Sequence, residues 1–243
     1  MDLQLSGLHA IVTGGSAGIG AAIVHALASE GCTVSFCARG QAQIDRSLRL
    51  VEQLPGTVRG YVVDVTKIDD FKTWMAEIGN VDIFIPNVSA ISMDWAASIK
   101  TDIQATVNTT EAVIPYLQKS SHAAITYIGS KAGSLEAPTS APYGAAKAAM
   151  VHYMKSLATR LLPTIRVNTV SPGDTLFDGG LWDRVSREEP EAFEKVVKRN
   201  PMRRLATAEE IARVVAFISS PAASFVAGAN WYVDGGSVNH VQF

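Results

Sequence analysis

Cysteine is scarce in this sequence. Cys32 and Cys37 are the two that 243 residues contain, too few for a disulfide framework, and they point to a reducing compartment, the cytoplasm. Cys37 lies in an apolar run and reads as a buried, inert thiol. The five histidines, His9, His25, His122, His152 and His240, include no pair at i,i+4 spacing, so no metal site is expected. No sign of charge dominates either. Lys and Arg number 21 against 23 Asp and Glu, a net charge of −2, which offers no global field to nucleic acid or to an anionic membrane. Long hydrophobic runs are also missing. The stretch from Ala10 to Ala28 is interrupted by four glycines and His25, a poor membrane span. Met1-Asp2-Leu3-Gln4 carries an acid where a secretory leader wants base. No repeat, low-complexity tract or Pro/Gly/Ser linker divides the chain, and 47% apolar residues exclude a disordered protein. The expectation is one soluble domain over residues 1–243.

What is present is alternation. Short apolar runs, many of them rich in β-branched residues, occupy Leu8–Thr13, Thr33–Ala38, Val58–Val63, Val81–Pro86, Ala123–Gly129, Ile165–Val170 and Trp231–Val233. Most lack polar alternation, as strands buried on both faces do. Between them lie segments of helical pattern at Gly18–Glu30, Gln41–Leu54, Lys67–Ile78, Trp95–Lys119, Pro142–Leu161 and Ala208–Ser219. Thr66 and Thr207 stand where N-caps belong, and Gly31 and Gly79 where helices should stop. Strand and helix in turn over the whole length predict right-handed crossovers and a doubly wound α/β domain: a parallel sheet of about seven strands with helices on both faces. In such a sheet ligands bind beyond the carboxyl ends of the strands, where the strand order reverses. That rule selects Thr13–Gly20, Arg39, Asp64–Val65, Asn87–Ala90, Ser130 and Ser171–Thr175.

The first of these reads Thr13-Gly14-Gly15-Ser16-Ala17-Gly18-Ile19-Gly20 and opens directly into a helix. Glycines permit a tight turn and close approach of backbone to a pyrophosphate, and a helix start offers unpaired N–H groups. A dinucleotide is the expected ligand. Nineteen residues past Gly20, the ribose-binding acid usual at the end of the second strand is replaced by Arg39. An acid there accepts from a free 2′-hydroxyl and repels a 2′-phosphate, whereas Arg attracts the phosphate. Arg39, with the Ser16 hydroxyl nearby, points to NADP(H) in preference to NAD(H). The competing reading makes Arg39 a solvated turn residue.

Tyr143-Gly144-Ala145-Ala146-Lys147 places a phenol and an ammonium on one helix face. Ser130 stands thirteen residues before the tyrosine, at the end of the fifth strand, and the following helix can bring Tyr143 back over that strand end. Moving hydride to a ketone develops an alkoxide, so the chemistry needs a proton donor and a hydrogen bond to that oxygen. A free phenol, with a pKa of ~10, is a poor base at neutral pH. An ammonium ~5 Å away at an effective dielectric of ~20 favours the phenolate by about 3 kcal/mol, roughly two pKa units.

Taken together and in order, Thr13-x3-Gly18-x-Gly20, Asp64-Val65, Asn87, Ser130, Tyr143-x3-Lys147, Pro172-Gly173 and Val233-Asp234-Gly235-Gly236 resemble the short-chain dehydrogenase/reductase family over essentially the full length, in its single-domain branch. The resemblance extends to 3-oxoacyl-carrier-protein reductases and to broad alcohol or sugar dehydrogenases alike. It implies a Rossmann fold, reversible hydride transfer between nicotinamide and an alcohol/carbonyl pair, and a homotetramer or homodimer. It implies Tyr143 as acid and base, Ser130 on the substrate oxygen, and Lys147 also on the nicotinamide ribose. Gly14, Ser16, Gly18, Ile19, Gly20 and Arg39 would bind cofactor. Asp64 and Val65 would meet the adenine, Asn87 and Ser89 a ribose, and Pro172, Gly173 and Thr175 the nicotinamide. Asp64 could instead cap the segment that follows it.

The chain departs from the family pattern twice. Where the family usually reads Asn-Asn-Ala-Gly, this chain has Pro86-Asn87-Val88-Ser89, which adds a side chain at Ser89. Asp102 stands where the family often has an Asn that supports a proton path to the lysine. It either joins that path or faces solvent. Between the sixth strand and Ala208 lies an insertion at about 174–207 with Phe177, Trp182 and Phe193 among charges. It reads as a lid over a partly hydrophobic carbonyl or alcohol substrate, or as a segment whose aromatics dock it on the domain. A non-enzymatic NADP(H) sensor or scaffold is the alternative function, but it has no need of Ser130, Tyr143 and Lys147 together.

Overall fold

The seven apolar runs become the seven strands of one parallel sheet in the computed structural model, which describes residues 1–241. The strands are β1 (His9–Thr13), β2 (Thr33–Ala38), β3 (Val58–Val62), β4 (Ile83–Ile85), β5 (Ala124–Ile128), β6 (Arg166–Pro172), then β7 (Thr175–Leu176) and β8 (Ala206–Thr207) in a separate two-stranded ribbon, and β9 (Asn230–Val233) back in the sheet. The sheet order is β3-β2-β1-β4-β5-β6-β9. Ala10 of β1 lies between Val34 of β2 and Ile83 of β4, so the order reverses between β1 and β4 and opens a crevice at their carboxyl ends.

The helices are α1 (Gly18–Ser29), α2 (Gln41–Val51), α3 (Ile68–Ile78), α4 (Trp95–Ser98), α5 (Thr106–Leu117), α6 (Ala141–Leu161), α7 (Leu181–Glu188), α8 (Pro190–Arg199) and α9 (Ala208–Ser219). Strand side chains alternate between two cores. Ile11 and Phe84 pack with Phe71, Trp74, Val113, Met150 and Met154 from α3, α5 and α6. Ala10, Val12, Ile83 and Ile85 pack with Ile23, Leu27, Ile44, Ile211 and Val215 from α1, α2 and α9. Burial on both sides explains why these strands show no polar alternation. Cys37 sits buried in the first core, as expected, where burial pushes its thiol up to about 12 and disfavours the thiolate.

Local signals met mixed outcomes. Gly31, at φ +78°, ends α1 with its N–H on the Ala28 carbonyl and the Cys32 N–H on that of Leu27, a Schellman stop. Thr207 caps α9 and Glu210 answers it: Glu210 N–H donates to the Thr207 hydroxyl at 3.3 Å, and Thr207 N–H to the Glu210 carboxylate at 2.9 Å. Thr66 does not cap α3. Lys67 takes that position, and the Thr66 hydroxyl donates to Asp64 at 2.8 Å. The expected single helix at Trp95–Lys119 is instead α4, a π-helical turn over Ile99–Ala105, and α5. The insertion forms α7 and α8 between the feet β7 and β8. Among the described residues, no helix is long and apolar enough to cross a membrane, and no group of three or more His, Cys, Asp or Glu is placed to hold a metal.

Candidate active site

The glycine turn follows β1 without slack. A Cβ on Gly20 would overlap the Gly14 carbonyl and lie 2.6 Å from the Asn87 amide, so backbone packs on backbone there. Ile19, beside it, leans on the core under α1. The residue preceding α1 is Ala17, which provides no side-chain acceptor, and the first turn holds no acid. Among the described residues no side chain caps the opening N–H groups of α1, which leaves the donor set a pyrophosphate requires. The Ser16 carbonyl accepts from the Ser47 hydroxyl at 2.9 Å, which fixes the turn to α2. These residues fit a dinucleotide.

Across the crevice, the Asn87 backbone N–H donates to the Thr13 hydroxyl at 3.0 Å, and its amide nitrogen donates to the carbonyls of Thr13 and Gly14 at 2.9 and 3.2 Å. Asn87 thus fastens the end of β4 to the glycine turn. Arg39 is exposed just past β2. Burial would raise Asp64, but the Thr66 N–H and hydroxyl, with the charges of Arg39 and Lys67, hold its carboxyl below the usual range. Asp64 therefore does cap its own turn, and Arg39 lies close enough to be felt there. The Val65 side chain belongs to the core.

The groups expected to handle the proton gather at the end of β5. Ser130 accepts the Ala132 N–H at 3.1 Å, capping a 3₁₀ turn over Lys131–Gly133. In α6, Tyr143 and Lys147 lie one turn apart. Burial pushes the Tyr143 phenol up, the neighbouring Ser130 hydroxyl draws it back, and Asp102 adds to the rise. Lys147 is 2% exposed. Its ammonium donates to the Ile128 carbonyl at 2.9 Å and sits 4.9 Å from the Tyr127 ring centre and 5.6 Å from that of Tyr143. Burial lowers Lys147 to about 8 against the raising influence of Asp102. Desolvation therefore dominates the phenol and moves it opposite to the lowering that the Tyr143–Lys147 spacing suggests.

The two departures from the family pattern meet each other. Asp102, in the π-helical turn, is 1% exposed, which removes the solvent-facing reading. Its Oδ1 accepts from the Ser89 hydroxyl and from the Ala90 N–H, while Oδ2 is buried with no partner among the described residues. The Ser89 hydroxyl is therefore turned toward Asp102. Pro172 and Gly173 close β6, with Gly173 pressed on Asp234 so that a Cβ would lie 2.7 Å from its Cα. The Thr175 hydroxyl donates back to the Gly173 carbonyl at 3.0 Å. Three features were not foreseen from sequence. Phe177 lies over Gly18, where a Cβ would meet its ring at 2.7 Å. The Tyr127 hydroxyl is buried near Lys147 with no hydrogen-bond partner among the described residues. Lys131 pairs with Asp174. Only proximity in the chain to Ser130 and Gly173 hinted at the last.

A family model described as enoyl-(acyl carrier protein) reductase matches residues 14–238. The chain belongs to the short-chain dehydrogenase/reductase family. An isoepoxydon dehydrogenase of Penicillium expansum is 36% identical over 254 residues, covering 98% of both chains. A 3-oxoacyl-[acyl-carrier-protein] reductase of Thermotoga maritima is 30% identical over 250 residues, covering 97% of this chain and all of its own. The crystal structure of L-sorbose reductase from Gluconobacter frateurii, complexed with NADPH and L-sorbose, superposes with a TM-score of 0.90 at 26% identity, covering 99% of this chain and 100% of that one. This short-chain dehydrogenase/reductase is an oxidoreductase on a Rossmann-like sheet.

Proposed function

We propose that the protein transfers hydride between NADP(H) and an alcohol/carbonyl pair, with Tyr143 as the general acid in reduction and the base in oxidation. The observation that carries this reading is the convergence of Tyr143, Ser130 and a buried Lys147 at the end of β5, beside a glycine cradle with no room for side chains. Gly14, Ser16, Gly18, Ile19, Gly20, Arg39, Asp64, Val65, Asn87, Pro172, Gly173 and Thr175 would hold NADP(H), whose nicotinamide would supply or accept hydride. Ser130 donates to the carbonyl oxygen and fixes it. Tyr143, kept protonated by burial at neutral pH, gives that oxygen its proton as negative charge develops. Lys147 stabilises the phenolate left behind, and Asp102, steadied by Ser89, keeps Lys147 cationic despite its burial. The insertion at 174–207 serves as the lid. Exposed Ile91, Met93, Leu176, Leu181 and Met202, on the loop after β4 and on the insertion, suit a partly hydrophobic carbonyl compound. A homotetramer completes the reading, as the family resemblance implies.

Tyr143→Phe is expected to abolish turnover while cofactor binding persists. A panel of carbonyls and alcohols, followed by reduced-nicotinamide absorbance, provides the assay, and a variant retaining more than about a tenth of the wild-type rate would remove Tyr143 from its role. Wild-type protein that binds NADPH and turns over nothing would point to a sensor. For the cofactor, kcat/KM with NADP(H) should exceed that with NAD(H) by about tenfold or more, and Arg39→Asp should erase the difference. Equal efficiency in the wild type would refute the assignment.

A further inference from the structure

Gly173 is clamped against Asp234, and its N–H donates to the Val233 carbonyl at 2.9 Å. Two residues on, Thr175–Leu176 pairs with Ala206–Thr207 in the ribbon that forms both feet of the insertion. Asp174 lies between the fixed body and that ribbon. Its carbonyl accepts the Ala206 N–H at 3.0 Å, so one residue touches both feet. Its carboxylate reaches the ammonium of Lys131, the residue directly after Ser130 and the first of the 3₁₀ turn that Ser130 caps. The side chains are 16% and 13% exposed, the most sheltered of the described ion pairs. The described pairs at Arg184, Arg187 and Lys198 lie within the insertion and are open to solvent. A sheltered pair is costly to break from one side, because the remaining charge is left without a partner. It is therefore a stiff link, unlike a surface pair.

We propose that Lys131 and Asp174 are positioning residues whose ion pair joins the Ser130 turn to the root of the lid, so that seating the lid and aligning Ser130 are one event. The inference rests on the reductase reading above and adds to it a mechanical connection between the substrate cover and the hydroxyl that fixes the substrate oxygen. Neither residue need touch substrate. Each acts through what it holds: Lys131 through the turn that carries Ser130, and Asp174 through the two feet.

The test compares wild type, Lys131→Met, the near-isosteric Asp174→Asn and the reversed pair Lys131→Asp/Asp174→Lys, all as full chains saturated with NADPH. Two quantities are read: kcat and KM for a carbonyl substrate from the panel, and the rate of tryptic cleavage at the basic residues 184–199 of the insertion. Each single variant should lower kcat/KM by about tenfold, through both a fall in kcat and a rise in KM, and should speed cleavage, whereas the reversed pair should recover most of both. NADPH affinity should stay at the wild-type value. Single variants with wild-type kcat/KM and intact lid protection overturn the proposal. So does a loss that follows the melting temperature alone with protection unchanged, or one that the reversed pair leaves unrestored. If the wild type binds NADPH and reduces nothing, the reductase reading fails, and the cleavage rates still decide whether the pair holds the lid.

Discussion

Asp102 shows how much one side chain can change at this site. A buried carboxylate with a single free oxygen needs a counter-charge, and Lys147 is the cation that feels it. Among the described residues the ammonium has one protein acceptor, the Ile128 carbonyl, so its remaining donors are available to water or ligand. Because burial brings Lys147 down to about 8, the cation is present below that pH and lost above it. Accordingly, kcat/KM for carbonyl reduction should be level at lower pH and fall as pH rises through about 8. Asp102→Asn removes a charge that raises Lys147, so the falling limb should move to lower pH. A pH–rate profile checks this, and a limb that stays in place excludes Asp102 from the proton path. At this scale the sequence revealed the types but not the pairing. Ser89 and Asp102 each stood out as departures, yet they are thirteen positions apart, and no periodicity brings a loop hydroxyl to a helical carboxylate. The direction of the Tyr143 shift was hidden too, since the spacing records the ammonium but not the loss of water around the phenol.

Elements were legible where composition and geometry share a period. The inner strands β1, β2, β4 and β5 follow from apolar runs because a strand buried on both faces is apolar nearly throughout, whereas the edge strands β3 and β9 are only half-buried. The capping box at Thr207 was half visible: the threonine was marked as a cap, and Glu210 completes the box. Thr207→Ala should cost about 1 kcal/mol, read as a lower denaturation midpoint. An unchanged midpoint would show that solvent satisfies the first turn of α9 equally well. Two elements escaped notice for different reasons. The helices α7 and α8 are short and charged, with no fully buried residue, and were covered by the single idea of an insertion. The π-helical turn at Ile99–Ala105 adds surplus residues to a helix without altering its overall apolar character. A hydrophobic pattern cannot register that, yet this turn carries Asp102.

For the molecule as a whole, the order of strands decides where chemistry occurs. The parallel pairing sets the carboxyl ends of β1, β4, β5 and β6 on one side, and the reversal between β1 and β4 opens a crevice there, which is why residues as distant in sequence as Gly14 and Thr175 belong to one region. That gathering was predictable from the alternation of elements, as was the glycine turn. The way the insertion attaches to the body was not, because the partners in those contacts are fixed only once the sheet has closed. Surface composition bears on assembly as well. Phe225 is fully exposed and Trp231 lies on the edge strand β9, and a large exposed aromatic is a liability that association relieves. Sedimentation should give about four times the 25.9 kDa chain mass, and a monomer at working concentration would refute the tetramer. The bonds from Asn87 to Thr13 and Gly14 carry one more consequence. They hold the groove proposed for the nucleotide in shape, so the entropy of ordering its walls is already lost when the chain folds. Association then has little rigidity left to impose, and preorganisation rather than induced closure should govern how tightly the adenosine half is held.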